Sequence, residues 1–187
     1  MGAVATRLTV EEFLAIDVEG DFPAQLVEGE IVVSEPKGIH AVLQLRVASV
    51  LQVWTQAGEG RGLAMAPTGV QMDEYNFYGP DVLWFSSDHV PGNLDGYPER
   101  VPDLCVEIRS ESTWRFDVGA KKRVYERGGL RELWLVDDKS ETVLVYRRST
   151  PRAEIFDVAL ELGAGETLTS PQLPGFELSI DELFERP

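Results

Sequence analysis

One cysteine and two histidines are all that the chain offers of the residues that build disulfide frameworks and zinc centres. Cys105 has no internal partner, which agrees with a reducing compartment. Flanked by Leu104 and Val106, it reads as a small buried hydrophobe, since apolar surroundings raise a thiol pKa and no histidine lies nearby in sequence. Zinc-type spacing of His and Cys is absent. No apolar run approaches the roughly 20 residues of a membrane span. The opening MGAVATRLTVEEF lacks a charged region followed by an apolar stretch and a small-residue cleavage site, so cytoplasmic residence is expected. There is no internal repeat and no low-complexity tract.

Positive charge is also scarce. Seventeen Lys and Arg stand against 32 Asp and Glu, a net charge of −15, which opposes wholesale attraction to a phosphate backbone. The exception is local. Between Arg109 and Arg131 seven basic residues face three acidic ones, a balance of +4. That stretch is either an ordinary solvated helix face or a nucleic-acid footprint.

What remains is the composition of a globular chain, with 43% hydrophobic and 26% charged residues, and 187 residues suit one domain. Thr9 followed by Glu12 predicts a capping box at the start of a short helix from Leu8 to Asp17. Gln25 to Val27 and Glu30 to Val33, joined by Glu28-Gly29, predict a hairpin. His40 to Gln56 predicts the longest helix, with Val42, Leu45, Val47, Val50, Leu51 and Trp54 recurring at helical intervals. Strands are expected at Leu63 to Pro67, Val70 to Met72, Asp81 to Phe85, Leu104 to Ile108 and Glu132 to Val136, the last pairing with Thr142 to Arg147. Asp88 to Arg100, rich in Gly, Pro and Asn, reads as a loop. A helix from Asp117 to Arg127 ends at Gly128-Gly129, and a short one closes the chain at Ile180 to Phe184. The implied architecture is α/β, a mixed sheet flanked by helices.

Glu107 is the most informative residue. It interrupts the apolar strand Leu104-Cys105-Val106-Glu107-Ile108, and a buried carboxylate requires a partner, either a cationic side chain or a metal. Asp81 opens the apolar strand Val82 to Phe85 after Gly79-Pro80. It either terminates a loop or sits at a sheet end within reach of Glu107. Asp117, Lys121 and Tyr125 share a helical stripe at i, i+4 and i+8. They form either an ion pair with an aromatic anchor or a device that sets the Lys121 ammonium beside the two carboxylates. Two acidic oxygen donors suit a hard cation such as Mg²⁺ or Mn²⁺. Trp54, Trp84 and Trp134 fall in apolar runs and are expected in the core, whereas Trp114 among Ser, Thr and Arg could offer a stacking surface. His89 carries no assignment.

The segment from Pro102 to Thr113, then Asp117-Val118-Gly119-Ala120-Lys121 with Tyr125, then Leu130 to Asp137, resembles the Uma-type restriction-endonuclease family of bacteria. Thr9 to Phe13, Leu26 to Glu30, His40, Pro80-Asp81 and Leu173 to Phe176 fall in the same order. The resemblance implies a single restriction-endonuclease-like domain over 1–187 with a PD-(D/E)XK core. In it Asp81 and Glu107 hold Mg²⁺ or Mn²⁺, Lys121 has moved from the strand to the following helix, and DNA is the substrate. A homodimer would suit double-strand cutting. Arg115, Lys122 and Arg123 become the expected backbone contacts, with Arg109, Gln25, His40, Asp117 and Tyr125 as secondary site residues. The chain departs from the family pattern at Gln25, where an acid is usual, and at Arg109, where a hydrophobic residue is usual. The alternative to a nuclease is a non-catalytic binding or assembly module that keeps the fold and retains these residues as a buried ion network.

Overall fold

The computed structural model describes residues 7–16 and 24–186. In chain order the elements are α1 (Val10–Ala15), β1 (Ala24–Val27), β2 (Glu30–Val33), α2 (Gly38–Gln56), β3 (Leu63–Met65), β4 (Val70–Asp73), β5 (Asn76–Tyr78), β6 (Val82–Phe85) and β7 (Leu104–Ile108). They continue with α3 (Trp114–Phe116), a π-helical turn (Asp117–Lys121), α4 (Lys122–Arg127), β8 (Glu132–Asp137), β9 (Thr142–Arg147), β10 (Val158–Leu162), β11 (Thr167–Leu168), β12 (Leu178–Ser179) and α5 (Ile180–Phe184).

A six-stranded sheet in the order β10-β9-β8-β7-β6-β3 forms the centre. β7 and β8 run parallel and every other neighbouring pair runs antiparallel, so the sheet is mixed, as expected from the strand-helix-strand unit between them. A second, four-stranded sheet has the order β2-β1-β5-β4. Because side chains alternate along a strand, β7 sends Leu104, Val106 and Ile108 to one face and Cys105 and Glu107 to the other. The first face meets Leu43, Val47, Leu51 and Trp54 of α2 together with the C-terminal Leu173, Phe176 and Leu183. The second meets Ala120, Val124 and Tyr125 of the π turn and α4, and Val27, Val32 and Tyr78 of the smaller sheet. Glu107 therefore lies between the large sheet and a layer made of one helix and the small sheet.

Much of the expected pattern holds. Thr9 and Glu12 form the capping box, each side chain bonding the other's backbone N–H. β1 and β2 pair as a hairpin whose turn places Glu28 and Gly29 at positive φ, 51° and 82°. Asp17, the proposed end of the first helix, lies outside the described residues. Two readings change. The buried stripe of α2 is His40, Leu43, Val47, Leu51 and Trp54, while Leu45 is 69% exposed. The single helix expected at 117–127 begins earlier, at Trp114, and passes through the π turn. Trp54, Trp84 and Trp134 are core residues, but Trp114 is half-buried and its ring face is covered by the Arg109 guanidinium at 5.1 Å. Among the described residues no helix is long and apolar enough to cross a membrane.

The two leucines of α2 provide a test of this orientation. Leu43→Ala, fully buried, is expected to lower unfolding free energy by about 2–5 kcal/mol. Leu45→Ala should stay within about 0.5 kcal/mol. Urea unfolding of the two variants checks the difference.

Candidate active site

β6 and β7 pair antiparallel with Val82 opposite Val106, and carrying that register on by one residue sets Asp81 opposite Glu107. The backbone N–H of Asp81 donates to the Val106 carbonyl at 2.9 Å. Its carboxylate Oδ2 accepts the N–H of Ile108 at 2.7 Å. Asp81 thus marks the end of the β6 ladder, the second of the two placements open from sequence. Glu107 is 3% exposed.

Three donors converge on these acids. Lys121 Nζ lies 2.6 Å from Glu107 Oε1 and 2.8 Å from Asp117 Oδ1. Tyr125 donates its hydroxyl to the same Glu107 Oε1 at 2.6 Å. His40, from the first turn of α2, places Nε2 3.2 Å from Asp81 Oδ2. Asp117, Lys121 and Tyr125 are all essentially buried, so the stripe expected from their spacing faces the site. The π turn holds its start: a wider turn lets residues four apart lie more nearly over one another, and such turns recur at functional sites. Thr113 secures Asp117 from below, donating to Oδ2 at 3.0 Å. Tyr78 supplies a ring face 5.3 Å from the Lys121 ammonium.

The charges do not balance. Three carboxylates, Asp81, Glu107 and Asp117, gather around one lysine and one histidine. Burial pushes the Glu107 carboxyl up to about 8; Lys121 opposes the shift, while Asp117 and Asp81 reinforce it. Burial disfavours the Lys121 ammonium, yet Asp117 and Glu107 outweigh that cost and hold its pKa above the ordinary lysine range. His40 follows the same logic: burial works against the imidazolium, and Asp81, then Glu107 and Asp117, raise its pKa nonetheless. Burial, with the Glu107 carboxylate beside it, keeps the Tyr125 hydroxyl protonated and so able to donate.

Of the secondary residues, Gln25 and His40 line a cleft of about 310 Å³ that also reaches Asp81. Arg109 pairs with Asp137 at 2.6 Å and lies over the Trp114 ring. Of the expected backbone contacts, Arg115 is exposed over Phe116, and Arg123 is exposed with only a 3.9 Å approach to Glu28. Lys122 instead lies over the Tyr146 ring at 4.4 Å. Other basic residues of the segment are neutralised, Arg127 by Asp73 and Arg131 by Asp103.

Two features escaped the sequence reading. β5, which carries Tyr78, is three residues long and shows no alternation to detect. Asp103, buried at 2% exposure, accepts from Ser86 N–H at 2.8 Å and meets His89 Nδ1 at 2.8 Å and Arg131 Nε at 3.2 Å. The Pro102-Asp103 dipeptide was visible, but its partners are 14 and more residues away.

The family model described as a putative restriction endonuclease, Uma2, matches residues 10–181. The chain belongs to the Uma2 family. It is also similar in structure to a putative nuclease belonging to DUF820 from Anabaena variabilis. The TM-score is 0.78 and the identity 23%, over 95% of this chain and 97% of that one. No curated protein matches the chain. Membership of Uma2, a family described as putative restriction endonucleases, supports a nuclease role, and the Anabaena structure shares the fold, a mixed sheet flanked by helices. Families of this kind generally use divalent metals.

The donor set of this Uma2 chain can be tested against such an ion. Among the described residues no group of three or more His, Cys, Asp or Glu side chains forms a metal cage. Glu107 Oε1 is already taken by Lys121 and Tyr125, and Asp81 Oδ2 by Ile108 and His40. Glu107 Oε2 and Asp81 Oδ1 accept no hydrogen bond from the described residues. Two such oxygens fit a hard cation that keeps most of its waters, and they do not fit an ion needing a full protein cage.

The raised pKa values carry a sign. Glu107 and His40 both bind protons more tightly when folded. Their contributions are fully present below the unfolded values of 4.5 and 6.5 and are lost as pH rises through the folded ones. In chelator, the unfolding free energy should therefore fall as pH rises from about 5 to about 9, and Glu107→Gln should flatten that slope. Denaturant titrations across this range check both expectations.

Proposed function

We propose that the chain is a metal-dependent endonuclease, a single-domain cytoplasmic enzyme that hydrolyses phosphodiester bonds in DNA. Asp81 and Glu107 would hold Mg²⁺ or Mn²⁺ through the two oxygens left free on neighbouring strands. The observation that carries this reading is the pair Glu107 and Asp117 on one buried ammonium with Asp81 opposite Glu107 at the end of the adjoining strand, a group of carboxylates whose mutual repulsion a divalent cation would relieve. When bound, the cation supplies charge neutralisation on the phosphodiester and acidifies a water at neutral pH.

The chain's own residues complete the task. Ion pairs with Glu107 and Asp117 fix the Lys121 ammonium, which would orient the attacking water or a phosphate oxygen. Asp117 positions Lys121, and Tyr125 positions Glu107 through the 2.6 Å hydrogen bond. His40 holds Asp81 from the helix side. Arg115 and Arg123 are the two cations best placed to meet the DNA backbone. One such site would nick a strand; cutting both would need two, as in a homodimer.

A second reading is favoured by the neutralised arginines and the net charge of −15: a binding or assembly module in which the same residues are only an ion network. Nicking of supercoiled plasmid with Mg²⁺ or Mn²⁺ separates the two. Asp81→Asn and Glu107→Gln are each expected to slow cleavage by about 10²-fold or more. Cleavage unaltered by both changes would sink the proposed site. If wild-type protein cuts nothing, calorimetry with Mn²⁺ decides. An ion network binds no metal, and Glu107→Ala then costs about 3–5 kcal/mol, because buried Lys121 loses one of its two acids and the Tyr125 hydroxyl its acceptor.

A further inference from the structure

The cleft beside Asp81 has features that the proposed phosphodiester chemistry does not use. Its volume of about 310 Å³ is that of a small-molecule site, with Gln25, His40, Phe77 and Tyr97 among its walls. Phe77 and Tyr97 meet edge to face with ring centroids 4.9 Å apart. Phe77 is buried, while Tyr97, on the loop after β6, is 54% exposed, an open aromatic face at the mouth. Gly69 makes room for both rings. A Cβ there would come within 2.1 Å of Phe77 Cζ and 3.0 Å of Tyr97 Cε1.

Two buried polar atoms in the walls have no hydrogen-bond partner among the described residues. Gln25 is 8% exposed and its Oε1 accepts nothing; His40 is 6% exposed and its Nδ1 is likewise unpaired. Leaving such atoms dry costs stability, so a native structure that keeps them on a cleft is offering them to something. The charge of the walls narrows the choice. No Lys or Arg lines the cleft among the described residues, which disfavours a phosphate, and Asp81 is its one carboxylate. A flat, neutral ring with polar edges fits the aromatic pair and the neutral amide together. Gln can address a base edge with one donor and one acceptor.

We propose that this cleft binds a single unstacked nucleobase, and that the chain's substrate is therefore DNA with an unpaired strand at the site. The proposal rests on the nuclease reading for the identity of the polymer. Asp81 lies at the cleft wall, so the base held there belongs to a nucleotide adjoining the scissile phosphate. A base within a duplex is stacked on both faces and cannot enter without being extruded, whereas a single strand presents it at little cost.

The test uses the whole chain and two labelled DNAs, a single-stranded oligonucleotide and the same sequence as a blunt duplex. Binding is read by fluorescence anisotropy in chelator and cleavage with Mn²⁺. The single strand should bind more tightly. Tyr97→Ala should weaken single-strand binding by about tenfold, the scale of one lost stacking contact, while duplex binding stays unchanged. Tyr97→Phe, which keeps the ring, should restore it. Equal affinity for both DNAs, or a Tyr97→Ala effect that is absent or the same on both, overturns the proposal. The two readings fail separately. Selective, Tyr97-dependent single-strand binding without any cutting would keep the base pocket and defeat the nuclease. Equal Mn²⁺-dependent cutting of both DNAs, indifferent to Tyr97→Ala, would keep the nuclease and defeat the pocket.

Discussion

The rest of the site depends on an ammonium group almost wholly withdrawn from bulk solvent. Lys121 is 1% exposed, and an unpaired charge at that depth would cost several kcal/mol or more. Glu107 and Asp117 offset that cost, and in doing so they bind β7 to the π turn through a common hub. The ammonium cannot satisfy all the acid around it. Asp81, just before the neighbouring strand β6, is met among the described residues by His40 and a backbone N–H. Glu107 Oε2 and Asp81 Oδ1 are left without a donor among the described residues. Burial of one lysine thus organises the acids and also determines which of their oxygens remain free.

The same accounting applies to the surface. Counted along the chain, residues 109–131 look like a basic patch, but the fold returns most of that charge to nearby acids. Arg109 goes to Asp137, Arg127 to Asp73 and Arg131 to Asp103, and Lys122 is covered by aromatic rings. With −15 over the whole molecule, the electrostatic pull on a polyanion is weak at long range. Any recognition of nucleic acid must then be strong at short range, through groups that act on contact. The aromatic pair of Phe77 and Tyr97 and the free amide of Gln25 are groups of that kind.

Legibility in the sequence follows the range of the interaction. Glu107 stood out because a charge in an apolar strand is anomalous on its face, and Asp117, Lys121 and Tyr125 because helical spacing is local. The hairpin at Glu28-Gly29 and the capping box at Thr9 and Glu12 are local too. The π turn was not legible, since the same residues satisfy an α-helical pattern. Leu45 was misplaced because the apolar residues of α2 exceed what one face can bury, and only the packing of Leu43, Val47 and Leu51 reveals which face is chosen. Tyr78, Tyr97 and Asp103 escaped because their partners come from distant segments that no local pattern joins.

Gln25 brings these threads together. It stands where the family pattern that the sequence resembles would have an acid, and it lines the same cleft as His40 and Asp81. Burial, reinforced by Asp117 and Asp81, already pushes Glu107 up to about 8, and another carboxylate would make full ionisation of the site more costly unless further positive charge entered. The neutral amide avoids that repulsion. It also changes what the wall can hold, since a carboxylate only accepts and attracts cations, whereas an amide both donates and accepts without charge. On the proposed reading, Gln in place of an acid would turn this wall from cation binding toward recognition of a neutral polar edge, while Asp81 and Glu107, opposite one another on neighbouring strands, would keep the two oxygens on which cation binding would rest.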